Sequence, residues 1–232
     1  MGVLLWDFDG TLAMRPGMWR GCLIETLDAH EAGHEIDADE LRPFLRDGFP
    51  WHQPEVAHPE LCDPEAWWRQ VECLLTAAYA GVGIERSRAR ELAQHARTRY
   101  VDASCGWQLF DDTLPTLERL RAGGWRHVIL SNHVPELPGL VAALGLSGLI
   151  ENVLSSATTG YEKPNPRAFE IALSQSGNPS ERWMIGDNPI ADVAGAEAAG
   201  IRAVLVRSEP REDCLYAPDL HTVPQILGRS SQ

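Results

Sequence analysis

Lysine is almost absent from this sequence. Of the 20 basic residues, 19 are arginine, and the single lysine is Lys163. The sequence also lacks any cysteine pair at C-x-x-C spacing, and its five cysteines are an odd number. This usage disfavours both a disulfide framework and a zinc site. It is typical of reduced thiols, so we expect a cytoplasmic location.

Basic residues and long apolar runs are both scarce. The 20 basic residues stand against 33 acidic ones, which gives a net charge of −13. Because such an acidic surface repels polyanions, we expect neither nucleic acid nor an anionic membrane as a partner. The longest weakly polar stretch, residues 139–150, is shorter than the ~20 residues of a membrane span. No feature of the sequence indicates an oligomeric state.

The rest of the composition is that of an ordinary globular protein, with 232 residues of which 44% are hydrophobic. Short apolar runs alternate with amphipathic segments after residue 103, which is typical of βαβ units and a parallel sheet. The first apolar run, Val3–Trp6, is separated from this series by residues 16–102, whose patterns are all helical. The sequence therefore predicts an α/β fold. We expect a three-layer Rossmann-like parallel-sheet core (residues 1–15 and 103–232) with an inserted all-helical cap domain (residues 16–102).

Side chains that suit a metal and an anion follow several of the predicted strands. Because the carboxyl ends of parallel strands meet at one edge of a sheet, we expect these side chains to converge there. Clustered carboxylates repel one another, and a hard divalent cation such as Mg²⁺ would neutralise that repulsion. The acids are Asp7, Asp9, Asp187 and Asp192, and the candidate anion ligands are Thr11, Ser131, Asn132 and Lys163.

Four motifs carry these residues. They are Asp7-Phe8-Asp9-Gly10-Thr11, Ser131-Asn132, Lys163-Pro164, and Gly186-Asp187 with Asp192 five residues later. In this order the set resembles the haloacid dehalogenase-like hydrolase superfamily. The helical block resembles the cap that a phosphatase branch of the family inserts after the first motif.

The resemblance implies a role for each residue. Asp7 would be the nucleophile that forms an aspartyl-phosphate, and Asp9 would act first as general acid and then as general base. Asp192 would orient Lys163 or the metal-bound waters from outside the coordination sphere. The implied Mg²⁺ ligands are Asp7, the backbone carbonyl of Asp9 and Asp187. The phosphoryl oxygens would be held by Thr11, Ser131, Asn132 and Lys163.

The function implied is a Mg²⁺-dependent phosphatase that hydrolyses a small phosphorylated metabolite. Three alternatives stay open at this point. A phosphotransferase such as a phosphosugar mutase would use the same core. A 2-haloacid dehalogenase would lack the second acid of the first motif, so Asp9 disfavours it. A phospho-accepting receiver module would be about half as long and would have no cap.

Three residues just past the first motif are candidate substrate contacts from the cap. They are Arg15, Trp19 and Arg20. Each is also compatible with a purely structural role, since tryptophan commonly packs in cores and arginine commonly lies in solvent.

Overall fold

A six-stranded parallel sheet lies at the centre of the structure, a computed structural model that describes residues 2–229. Met1 and residues 230–232, at the two ends of the predicted core, lie outside the described residues. The strands are β1 (Val3–Trp6), β2 (Ala13–Met14), β3 (Gln108–Leu109), β4 (Arg126–Ser131), β5 (Asn152–Ser155), β6 (Arg182–Gly186), β7 (Arg202–Val206) and β8 (Leu215–Ala217). The order across the large sheet is β5-β4-β1-β6-β7-β8, and β2 and β3 pair separately.

The sheet is covered on both faces. Alternate residues of β1 point to opposite faces, because successive side chains of a strand do so. Leu4 and Trp6 accordingly pack in one apolar cluster, while Val3 and Leu5 pack in a second. All four are fully buried. Burial on both faces explains why the sequence of β1 is a continuous apolar run rather than an alternating one, and it confirms the predicted layered α/β fold.

Helices connect the strands of the large sheet. This agrees with the amphipathic segments that alternate with apolar runs after residue 103, and the segment after β6 begins as a π-helical turn, Pro189–Ala194. The last strand and the last helix were not predicted, since the chain there is short and weakly patterned. The helices of this part are α5 (Thr113–Ala122), α6 (Leu137–Ala143), α7 (Ser156–Thr159), α8 (Pro166–Gln175), α9 (Gly195–Ala198) and α10 (Val223–Arg229).

Residues between β2 and β3 are helical, as the sequence predicts. Asp37 and Asp63 begin two of these helices by accepting hydrogen bonds from the backbone N–H groups of the first turn, which helix N-termini need. The helices are α1 (Met18–His30), α2 (Ala38–Leu41), α3 (Pro64–Gly81) and α4 (Arg86–Val101), with short 3-10 turns at Arg42–Leu45, Pro50–His52 and Pro59–Leu61. Among residues 2–229, no helix is long and apolar enough to cross a membrane.

The short antiparallel pair β2–β3 holds together the two places where the chain leaves and re-enters the α/β part. Ala13 pairs with Leu109, and Met14 pairs with Gln108. This ribbon lies immediately beyond the first predicted motif. The division into a core and a cap domain at residues 15/16 and 102/103 stays a prediction.

Candidate active site

The first-motif carboxylates follow the central strand of the sheet. Strand β1 lies between β4 and β6, and Trp6 is in register with Ile129 on one side and Ile185 on the other. The backbone N–H of Asp7 continues this pairing by donating to the carbonyl of Ile185 at 2.9 Å. The ends of three adjacent parallel strands therefore meet beside Asp7, which is where ligands bind in open α/β sheets.

Lys163 lies in the middle of this edge and is 2% exposed. Its Nζ donates to Asp7 Oδ1 at 2.9 Å and to Asp192 Oδ1 at 2.5 Å. Burial alone disfavours the charged ammonium, but the carboxylates of Asp192 and Asp7 outweigh it and raise the pKa of Lys163 above its ordinary value. The lone lysine is therefore a fixed positive charge beside the predicted nucleophile.

Three carboxylates, including that of Asp7, lie close together here. One oxygen each from Asp7, Asp187 and Asp192 lies within 4.8 Å of the other two. Burial raises the pKa of Asp187, and the negative charges of Asp7 and Asp192 raise it further. A raised pKa means that the negative charge here is incompletely compensated by the protein, which is the situation that a bound divalent cation relieves.

Asp192 differs from the other two acids because both of its oxygens accept hydrogen bonds. Oδ1 accepts from Lys163, and Oδ2 accepts from the backbone N–H of Asn188 at 2.9 Å. Its side chain is fully buried against Gly186, where any side chain in place of the hydrogen would collide with the carboxylate. This geometry suits a residue that positions Lys163.

A second glycine brings the first and last motifs together. Gly10 has φ +75°, and a Cβ at this position would collide with the carboxylate of Asp187. Only glycine combines this left-handed backbone with the close approach. The turn after β1 can therefore pack directly against the loop that follows β6.

Asp9 faces the same cavity as Asp7 and lies beside a histidine. His133 Nε2 is 3.6 Å from Asp9 Oδ1, and the His133 ring packs edge-on against Phe8 at 5.6 Å between centroids. Burial raises the pKa of Asp9 above its ordinary value, while His133 opposes the shift. His133 directly follows the Ser131-Asn132 motif, so extending that motif by one residue would have found it.

Asn132 fixes the backbone of the lysine segment. Its Nδ2 donates to the carbonyl of Lys163 at 2.8 Å, and its Oδ1 accepts from the N–H of Lys163 at 2.7 Å. This paired contact joins the end of β4 to the loop that carries the lysine. Ser131, the last residue of β4, lies with both of them along the same cavity.

The cavity has a volume of about 510 Å³ and lies between the sheet edge and the helical block. Seven of the site residues predicted in the α/β core line this cavity, and so does Trp19. Sequence reasoning missed the other lining residues from the block, notably Trp51, His52 and Tyr100. For Trp51 and His52, the available signal was the density of tryptophan, histidine and proline in residues 47–64.

Three predicted site residues do not reach this cavity. Thr11 is fully buried, and its Oγ1 has no hydrogen-bond partner among residues 2–229. Arg15 is buried as well, because its guanidinium donates to Glu25 at 2.5 Å. Arg20 lines a neighbouring cavity and pairs with Asp39 at 2.8 Å. Arg15 and Arg20 thus form intramolecular ion pairs in this structure, and their role as substrate contacts stays a prediction.

Comparison with known proteins agrees with this geometry. A family model described as "haloacid dehalogenase-like hydrolase" matches residues 1–200. A phosphoserine phosphatase from Thermus thermophilus is 37% identical, with 95% of this chain and 94% of the relative covered. The human haloacid dehalogenase-like hydrolase domain-containing protein 3 is 36% identical over 97% of this chain and 90% of its own. The crystal structure of a 2-haloacid dehalogenase from Pseudomonas syringae superposes with a TM-score of 0.69 at 23% identity over 99% of both chains, a likeness that concerns the fold alone.

Proposed function

The chain belongs to the haloacid dehalogenase-like hydrolases, and we propose that it is a Mg²⁺-dependent phosphatase that hydrolyses a small phosphomonoester through an aspartyl-phosphate. The observation that carries the proposal is the contact between Lys163 and Asp7 beside the carboxylates of Asp187 and Asp192. The predicted nucleophile, the buried ammonium of Lys163 and a candidate metal site therefore line one cavity. The substrate is the small phosphorylated metabolite expected from the sequence, and the reduced cysteines support a cytoplasmic location.

The acids present fit a Mg²⁺ ion. Hard oxygen ligands are what this ion takes in proteins, and three carboxylates lie within reach of one point. Asp7, Asp187 and the backbone carbonyl of Asp9 would hold it, because both oxygens of Asp192 are already engaged by N–H donors. When bound, Mg²⁺ neutralises the negative charge of the transferring phosphoryl group.

The side chains of this chain perform the two halves of the reaction. A carboxylate oxygen of Asp7 attacks phosphorus, and the bond from phosphorus to the leaving oxygen breaks. Asp9 donates its proton to that oxygen, and then takes a proton from the water that attacks the aspartyl-phosphate. The second attack breaks the bond to Asp7 and releases inorganic phosphate. The Ser131 hydroxyl, the Asn132 backbone and the Lys163 ammonium hold the phosphoryl oxygens during both steps.

Asp9 supports phosphate chemistry over carbon–halogen cleavage, even though a dehalogenase shares the fold. A halide leaves without needing a proton, whereas an alkoxide leaving group does need one. The carboxyl of Asp9 lines the cavity beside Asp7, where it can reach a leaving oxygen.

A chromogenic assay with p-nitrophenyl phosphate tests the proposal. We expect turnover that depends on added Mg²⁺ and falls to background with EDTA. Asp187→Ala should raise the Mg²⁺ concentration for half-maximal activity much more than Asp192→Ala, the control from the same cluster. Full turnover by metal-stripped protein would contradict the metal assignment. Release of nitrophenol without release of phosphate would point to a phosphotransferase.

A further inference from the structure

The outer part of the cavity is aromatic and apolar. Beyond the carboxylates and Lys163, much of its wall is formed by Met18, Trp19, Trp51, His52, Tyr100 and Ile190, with Asn188 and His133 as polar members. Stacked neighbours hold these rings in place: Trp19 lies on Tyr100 at 3.7 Å between centroids with the planes 3° apart, and Trp51 lies on Phe49 at 4.5 Å and 10°. A leaving group bound above Asp7 would therefore meet rigid ring surfaces.

Fixed positive charge is confined to the bottom of this cavity. Lys163 is the one lysine or arginine among its described lining residues, and Asp7 and Asp192 already neutralise it. The nearby histidines supply no spare cation. Burial lowers the pKa of His52, which keeps its imidazole neutral at pH 7, and His133 lies against Asp9.

Three arginines lie behind the aromatic wall. Arg20, Arg42 and Arg46 line a neighbouring cavity of about 370 Å³, and the residues common to both cavities are Met18, Trp19, Trp51 and His52. A side chain that lines both cavities stands between them. Arg20 and Arg42 also share one counter-ion, Asp39, at 2.8 and 3.3 Å.

We propose that the phosphoryl group is the only anionic group of the substrate, and that the leaving alcohol is uncharged, with an apolar face for Trp51. A second anionic group would be desolvated against ring faces, which carry negative electrostatic potential, and it would lie close to Asp9. This inference rests on the proposed phosphatase function.

Substrate pairs in which a terminal CH2OH group is replaced by a carboxylate test the inference. Glycerol 3-phosphate is compared with 3-phosphoglycerate, and sorbitol 6-phosphate with 6-phosphogluconate. We expect kcat/KM to be at least ~10-fold higher for the uncharged member of each pair, the scale of an unpaired charge in a partly desolvated site. Equal or faster hydrolysis of the carboxylated members would overturn the inference, as would a preference for a bisphosphate, which would show that the arginine-lined cavity is used.

The same assay separates failure of the inference from failure of the proposed function. Hydrolysis of p-nitrophenyl phosphate with a preference for carboxylated substrates contradicts the inference alone. No Mg²⁺-dependent hydrolysis of p-nitrophenyl phosphate or of either pair contradicts the phosphatase function itself.

Two variants test which residues determine the specificity for the leaving group. His52→Arg places a cation on the cavity wall and should raise kcat/KM for the carboxylated members by about 10-fold; no gain for them would contradict the charge argument.

Trp51→Ala should raise KM for the uncharged members. The matched control is Trp125→Ala, since Trp125 lines a different cavity beside α10, and its KM should stay unchanged. An equal rise in KM in both variants would contradict a role for Trp51.

Discussion

Replacing Lys163 by methionine removes a buried charge and keeps most of the side-chain volume. The ammonium lies 2.9 Å from Asp7 and 2.5 Å from Asp192. Asp192 is fully buried and Lys163 is 2% exposed, so water from the cavity replaces the lost partner only in part. Removing one member of a buried ion pair costs about 3–5 kcal/mol, because an uncompensated charge stays behind. We expect Lys163→Met to lower the free energy of unfolding by about that amount.

Urea unfolding followed by circular dichroism, in EDTA at pH 7, measures this loss. Arg167→Met is the matched control, because Arg167 pairs with Glu170 at 2.7 Å but is 59% exposed. An exposed pair contributes less than about 1 kcal/mol. The reasoning would be refuted if both variants lost the same small amount, since the buried contacts of Lys163 would then contribute no more than a surface ion pair.

Two further predictions concern pH and magnesium. Burial lowers the pKa of His127 from 6.5 to about 4. Above pH 6.5 the imidazole is neutral in both the folded and unfolded states, so the free energy of unfolding is highest there. It falls by about 3 kcal/mol as the pH falls from 6.5 toward 4, because the unfolded state then binds a proton that the folded state does not. His127→Gln should flatten the pH dependence of the urea midpoint in that window; parallel curves would contradict this. Gly10→Ala should weaken activation by Mg²⁺ at least ~10-fold, because the added methyl displaces Asp187. Gly33→Ala carries similar backbone strain with no atom within 4 Å and should leave activation unchanged; equal effects would contradict the proposed contact.

Strand ends were the most predictable part of the site. An apolar run followed by Asp7, and another followed by Asp187, are local patterns. The rule that parallel strands present their carboxyl ends at one edge then places them together. The structure confirms this convergence, and the same reasoning brings Ser131 and Lys163 to the cavity.

Contacts between distant segments were not predictable in the same way. Arg15 follows the first motif closely, yet nearness in sequence does not fix the direction of a side chain, and Glu25 holds the guanidinium away from the cavity. Trp51 and Tyr100 reach the cavity through the packing of the helical block, and the composition of residues 47–64 indicates at most that Trp51 is unusual, since the tertiary contacts themselves are not local. Strand β8 was missed because its three residues are too few to show a pattern.

Trapping the phosphoenzyme tests the central claim most directly. The protein is mixed with p-nitrophenyl phosphate and Mg²⁺, quenched in acid within the first turnover, and digested for mass spectrometry with and without hydroxylamine. The account predicts a hydroxylamine-sensitive phosphoryl group on Asp7, and neither phosphoenzyme nor turnover in Asp7→Asn. A phosphoryl group on another residue, or sustained turnover by Asp7→Asn, would contradict it.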